Sequence, residues 1–386
     1  MGTTRDPRSG SSGCVNLMRR GIPINRWIDR HAGIPLLGLI GAFRSKRPVP
    51  AQLGRIGICA AGAMGDVLLL SGVVRDLRVA FPQAEIGFFA GAPASRAAAE
   101  LIPQIDYIRM TPLDRPWAIG PIRHSNLDVL LDFSSWPRAT ALIAAMSGAR
   151  CVVGFRTKGQ YRHFAYDIAT EHCGSIHECE NYRKLVAGIG IVSRSEPAIE
   201  IPEMQVNPVA KYAPYTVFHA CATGLLAAVR EWPNEYWVGL AASLPARTLV
   251  LTGSRSDAVK VGRLEQALRA SGVKVVAAIG HDLANVGALL KGAELVVSVN
   301  TGIMHLSAVV GAPTVSINGP NRDARWGPRG RNCVSVEAPG TNGGYLNLGW
   351  EFRGQPRDLM THTTPEHVLE GVAKLQHRSA MAAACK

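Results

Sequence analysis

From Arg55 onward, short runs that are apolar throughout alternate with longer runs that are apolar on one side only. "RIGICAAG", "AEIGFFAG", "LDVLLDF" and "ARCVVGF" read as strands buried on both faces, and "DVLLLSGVVRDLRVAF" as a helix of about four turns between the first two. The pattern restarts after a proline-rich stretch from Pro197 to Pro214. "YTVFHAC", "RTLVLTG", "VKVVAAIG", "ELVVSVN" and "PTVSING" are strands there. "EYWVGLAASL", "DAVKVGRLEQALRASG" and "LANVGALLKGA" are the helices between them. Strand–helix alternation with two-face-buried strands predicts parallel sheets covered by helices. The fold class is therefore α/β, with two doubly wound, Rossmann-like domains in tandem. We place an N-terminal extension at residues 1–52, a first domain at 53–200 and a second at 201–386. The closing helix "TPEHVLEGVAKLQHR" could pack on either domain.

The extension differs in character. "AGIPLLGLIGAF", Ala32 to Phe43, is about half the ~20 residues of a spanning helix and contains Pro35. No small-residue cleavage site follows it, so it does not read as a secretory signal. Two readings stand: a short helix packed on the first domain, or an interfacial anchor on an anionic inner membrane face. Residues 1–14 read as disordered. Residues 1–50 carry nine Lys/Arg against two Asp/Glu, more than half of the net charge of +13. A basic surface selects acidic partners: nucleic acid, an anionic membrane or phosphorylated substrates. The eight cysteines form no CxxC pair. Several lie inside strand-like runs, which fits buried thiols in a reducing, cytoplasmic compartment. "EHCGSIHEC" groups His172, Cys173, His177 and Cys179, but its spacing matches no standard zinc pattern.

In open α/β sheets, ligands bind beyond the carboxyl ends of the strands. Asp66 lies there, in "AAGAMGDVLLL", after the first strand. A carboxylate near a helix N-terminus is stabilised in its charged form. It serves equally as a helix cap or as an acid facing the cleft. In the second half, "VSVNTGIMHL" ends a strand at Asn300, turns at Thr301–Gly302 and starts a helix carrying His305. Such a turn offers N–H groups to phosphate. "FHACATGLLAAVREWP" leads from a strand end at His219, through Thr223, to Arg230, whose guanidinium suits a diphosphate. The alternatives are a satisfied core histidine at 305 and a solvated charge at 230. A cluster around Arg156, Lys158 and Arg162 reads as an acidic-acceptor surface or as a solvated basic loop.

These segments resemble glycosyltransferase family 9, the heptosyltransferases. The likeness runs from about Arg55 to Pro328 and rests on "AMGDVLL", on the H-x-x-A…R-x-W-P…Y-W segment from His219 to Trp237, and on "NTGIMHLSAVVGAPTVSINGP". "HECENYRKLVAGIGI" is similar to the family's helix before the linker. The resemblance implies a GT-B fold and inverting transfer of a heptose from ADP-heptose, without cofactor or metal. It implies Asp66 as catalytic base and His219, Thr223, Arg230, Asn300, Thr301, Gly302 and His305 as donor-binding residues. The net charge of +13 and the basic cluster of Arg156, Lys158 and Arg162 suggest an anionic glycan or glycolipid acceptor, which lipopolysaccharide inner core fits, with no role for nucleic acid. Asn300 stands where the family usually has Asp, and "FHACATG" departs from its usual His-Pro-Gly form. Three other readings remain, one of them a nicotinamide oxidoreductase, which would need GxGxxG after a strand where "AAGAMGD" lacks that spacing. A sugar-nucleotide epimerase of the same architecture would release a free isomerised sugar, and a non-catalytic homologue would bind donor without turnover.

Overall fold

The computed structural model describes residues 23–384 except 61, 113–118, 203, 225, 246, 341–343 and 348–355. The disorder read for residues 1–14 lies outside that range.

Among the described residues, twelve strands form two six-stranded parallel sheets. The first holds β1 (Arg55–Ala60), β2 (Glu85–Ala90), β3 (Tyr107–Met110), β4 (Val129–Asp132), β5 (Cys151–Arg156) and β6 (Ile168–Glu171) in the order β3-β2-β1-β4-β5-β6. The second holds β7 (Tyr215–His219), β8 (Thr248–Gly253), β9 (Val275–Ile279), β10 (Leu295–Val299), β11 (Thr314–Asn318) and β12 (Cys333–Glu337) in the order β12-β11-β10-β7-β8-β9. Both orders reverse direction once, between β1 and β4 and between β7 and β10. A crevice opens at each reversal, at the carboxyl ends of the strands.

The helices that flank these crevices or carry the extension are α1 (Pro23–His31), α2 (Gly33–Phe43), α3 (Met64–Leu69), α4 (Arg138–Ala145), α5 (Glu178–Ala187), α6 (Gly302–Val309) and α7 (Asp323–Trp326). The four-turn helix expected after β1 is broken. α3 ends at Leu69, and a second helix runs Ser71–Ala80. The Ser71 hydroxyl bonds back to the Leu68 carbonyl at 2.8 Å and accepts the linker's Ala198 N–H at 3.1 Å. A serine that bonds locally in this way competes with the helical ladder.

The two sheets are joined by a continuous apolar core. Val67, Leu68 and Leu185 from the first half share one buried cluster with Leu289, Leu306 and Val309 from the second. The closing helix, Pro365–Ala384, packs on β11, β12 and the helix Asn234–Ser243, so it belongs to the second half. The extension is docked. Asp29 of α1 pairs with Arg138 at 2.8 Å, and the buried carboxylate of Asp167 binds Arg44 at 2.7 Å and Arg47 at 2.9 Å. These cations hold the Asp167 carboxyl below its usual range against the opposing effect of burial. α2 lays Leu37 into the core beside α4. Among the described residues, no helix is long and apolar enough to cross a membrane.

Candidate active site

The turn after β1 and the turn after β10 meet. Asp66 is the third residue of α3 rather than its cap, and its carboxylate reaches back to accept the Ala63 N–H at 2.6 Å. Tyr182 of α5 is buried nearby. Burial drives its phenol pKa well up, and the Asp66 charge adds to the rise. Opposite, α6 starts at Gly302. The two helix starts abut because both carry glycine there. A methyl group on Gly65 would stand 2.6 Å from His305 Cδ2, and one on Gly302 would run into the Met64 side chain. So two helix N-termini from different halves converge on one crevice, with a carboxylate on one of them.

On the α6 side, two buried polar atoms have no hydrogen-bond partner among the described residues: Thr301 Oγ1 and His305 Nδ1. Such orphans are uncommon and call for an explanation. Burial first, and nearby His177 second, push the His305 pKa down to about 3, so its ring is neutral at pH 7. After the neighbouring strand β7, Arg230 is half-buried and donates to the Thr223 carbonyl, closing the loop between them. Thr223 itself is exposed. The structure thus brings Asp66, Thr301, Gly302 and His305 together, with Thr223 and Arg230 on the loop after the adjacent strand.

Three of the expected site residues turn inward. His219 is buried, its Nδ1 lies 2.9 Å from Thr252 Oγ1, and burial pushes its pKa down to about 4. It is a satisfied core histidine beneath the loop. Asn300 also turns inward. Its amide nitrogen donates to Asn318 Oδ1 at 2.6 Å and to the Trp326 carbonyl at 2.9 Å, and its oxygen accepts from Asn321 at 2.8 Å. With both amide protons committed, it braces the turn rather than offering them to a sugar. Arg162 is fully buried, pairs with the equally buried Asp132 at 2.7 Å, and donates to Thr140 at 3.0 Å. It cannot hold an acceptor. Arg156 and Lys158 remain exposed at the carboxyl end of β5, with Arg156 3.3 Å from Glu171.

The His/Cys group proves to be a contact between the halves. His172 lies 3.2 Å from Glu178, and His177 caps α5 while its Nε2 meets the Gly327 carbonyl at 3.0 Å. Arg325 of α7 enters the first half and pairs with Glu178 at 2.9 Å, both side chains buried. The guanidinium and His172 hold the Glu178 carboxyl down at about 2 despite its burial. Sequence reading misses this pair, because nothing in "NRDARW" or "HECEN" marks two residues 147 positions apart as partners.

A family model described as glycosyltransferase family 9 (heptosyltransferase) matches residues 121–343. The chain is 25% identical over 323 residues to lipopolysaccharide heptosyltransferase 1 of Escherichia coli K12, covering 76% of this chain and 96% of that one. It is 33% identical over 128 residues to the Pseudomonas aeruginosa PAO1 protein of the same name, 32% of this chain and 34% of that one. The structure of E. coli ADP-heptose lps heptosyltransferase II superposes with a TM-score of 0.67 at 19% identity, over 84% of this chain and 99% of that one. E. coli heptosyltransferase WaaC with ADP gives 0.63 at 19%, over 83% and 99%. Those likenesses establish the GT-B fold that the two sheets and their facing crevices describe. With the family match spanning more than half its length, this chain belongs to glycosyltransferase family 9, the heptosyltransferases.

Proposed function

We propose that this enzyme transfers a heptose from ADP-heptose, with inversion and without a metal ion, to an anionic acceptor such as lipopolysaccharide inner core. The observation that carries the proposal is the meeting of Asp66 with the Thr301–His305 turn across the Gly65–His305 contact. The acceptor hydroxyl attacks C1 of the sugar from the first half. Its proton passes to the Asp66 carboxylate as the new C1–O bond forms, and the bond from C1 to the diphosphate oxygen breaks. ADP departs with that electron pair. The start of α6, Thr301 Oγ1, His305 and Arg230 meet the developing charge, which is the largest electrostatic demand of the step. The orphaned atoms at Thr301 and His305 support this reading, because a diphosphate would satisfy both. Attack from the face opposite the leaving group inverts C1. Arg156 and Lys158, on the same side as Asp66, supply cations for the acceptor.

The test is a mass-spectrometric screen of nucleotide sugars with an inner-core acceptor, run in chelator. The reading expects ADP-heptose to be consumed at an unchanged rate in chelator, giving ADP and an inverted glycoside. Replacing Arg156 and Lys158 with Ala should raise the acceptor KM severalfold and leave the donor KM alone. A free isomerised sugar, binding without turnover, or loss of rate on chelation would overturn it.

A further inference from the structure

Helix α2, GIPLLGLIGAF, carries no charged or hydrogen-bonding side chain. Its inner face is made for close packing. Gly33 lies against the Arg138 side chain, Gly41 against Phe164, and Leu37 is fully buried. The outer face is equally apolar, with Pro35, Leu36, Leu39, Ala42 and Phe43 all exposed. Their spacing makes one stripe along the helix. Leu36 is 47% exposed, Leu39 58% and Phe43 83%, and Trp27 of α1 adds 60%. Scattered exposed apolar residues are ordinary, whereas a continuous stripe marks an interaction surface.

The stripe is tied rigidly to the acceptor side of the crevice. Arg138 binds Asp29 of α1 through its backbone N–H and its guanidinium, each at 2.8 Å. The same guanidinium donates to the Gly159 carbonyl at 3.2 Å and to that of Gln160 at 3.1 Å. Lys158 is on that loop, and Arg156 ends the strand before it. Tyr161 and Phe164, stacked with centroids 6.3 Å apart and both partly exposed, continue the apolar surface from α2 towards it. Cations border the stripe. Arg44 and Arg47 share the single carboxylate of Asp167, and Arg30, Lys46 and Lys158 are exposed.

We propose that this face docks on an anionic lipid bilayer, with Trp27, Leu36, Leu39 and Phe43 entering the interface and the bordering cations meeting the headgroups. Charge decides the occupant. Arg30, Lys46, Arg47 and Lys158, all exposed, would repel a second copy of the same face and attract anionic headgroups. The helix then lies in the plane of the interface. That docking also brings a lipid-linked acceptor to Arg156 and Lys158 rests on the function proposed above; the docking itself does not.

The experiment sediments the full chain with vesicles of phosphatidylglycerol and phosphatidylethanolamine, beside phosphatidylcholine vesicles and a velocity run without lipid. Two triple variants accompany it, Leu36→Ser/Leu39→Ser/Phe43→Ser and Leu36→Glu/Leu39→Glu/Phe43→Glu. The proposal expects the parent to pellet with anionic vesicles and much less with phosphatidylcholine. It expects both variants to keep the parent's melting temperature and to bind at least about tenfold more weakly. A parent that stays in the supernatant, or variants that pellet like it, overturns the proposal. A parent dimer that the variants turn into monomer also overturns it and gives the face to a second copy. Turnover is no part of this readout, so docking and transfer can fail separately.

Discussion

Gly65 lies against the imidazole of His305, so close that a methyl group in its place would come within 2.6 Å of Cδ2. One residue precedes the proposed base, and the other lies in the turn proposed to bind the donor. Their contact joins the shared core and the Glu178–Arg325 pair in holding the two halves together, and it accounts for a glycine in the first turn of a helix. Elsewhere in a helix, Gly→Ala stabilises by about 0.5–1 kcal/mol. Here overpacking, about 1–3 kcal/mol, opposes that gain and wins. We expect Gly65→Ala to lower stability and to slow turnover more than tenfold, measured by denaturant unfolding and by initial rates. A more stable variant with full activity would show that the contact yields freely.

Asn300 invites the opposite substitution. An acid there would match the family's usual residue, yet the Trp326 carbonyl and Asn318 Oδ1 both require a donor. Asn318 cannot reverse its amide without losing its own 3.0 Å bond to Asp323. Asn300→Asp should therefore cost about 2 kcal/mol or more at pH 7, the range for a buried acceptor left facing acceptors. Chemical unfolding measures it, and equal stability would mean that the network rearranges.

Three buried histidines set an acid limit. Burial pushes His177 and His219 down to about 4 and His305 to about 3, all from an ordinary 6.5. Their unfolded forms take up protons as pH falls below 6.5, while the folded forms do not. Stability from these groups is complete above pH 6.5 and declines towards pH 4, by up to about 1.4 kcal/mol per pH unit for each histidine. Glu178, held at about 2 in the fold, adds a further loss as pH falls from 4.5 towards 2. Melting temperatures across pH 4 to 8 should fall steeply on the acid side. A flat profile from pH 7 to 4.5 would contradict the buried, neutral rings.

The central strands are legible in the sequence because each is buried on both faces and therefore apolar throughout. β3 and β6 are not. They are edge strands of four residues, largely half-exposed, and "YIRM" and "IATE" need satisfy only one side. β12, also at an edge, is mostly buried but hidden because Ser335 and Glu337 interrupt its apolar run. The turns bearing Asp66 and Thr301–His305 can be read because they are local: strand end, small residues, helix start. The Asp132–Arg162 and Glu178–Arg325 pairs cannot, since a buried charge and an exposed one look alike until the chain is folded. Arg162 passes for a surface cation, and Asn300 for a ligand, on that account.

Asp66→Asn is the most direct test of the account. The amide oxygen can still accept the Ala63 N–H, so the first turn of α3 survives, but an amide cannot take a proton from the acceptor at neutral pH. Loss of a general base costs about 10²–10⁴ in rate, roughly 3–5 kcal/mol of barrier. A lost helix-end bond costs about 1 kcal/mol of stability and no chemistry. The measurement is kcat for heptose transfer beside the melting temperature and ADP affinity of the same preparation. The account predicts a fall in kcat of at least about a hundredfold, with melting temperature and ADP affinity close to the parent's. An Asp66→Asn enzyme that turns over at the parent's rate would show that the carboxylate only closes its helix, and that the base lies elsewhere.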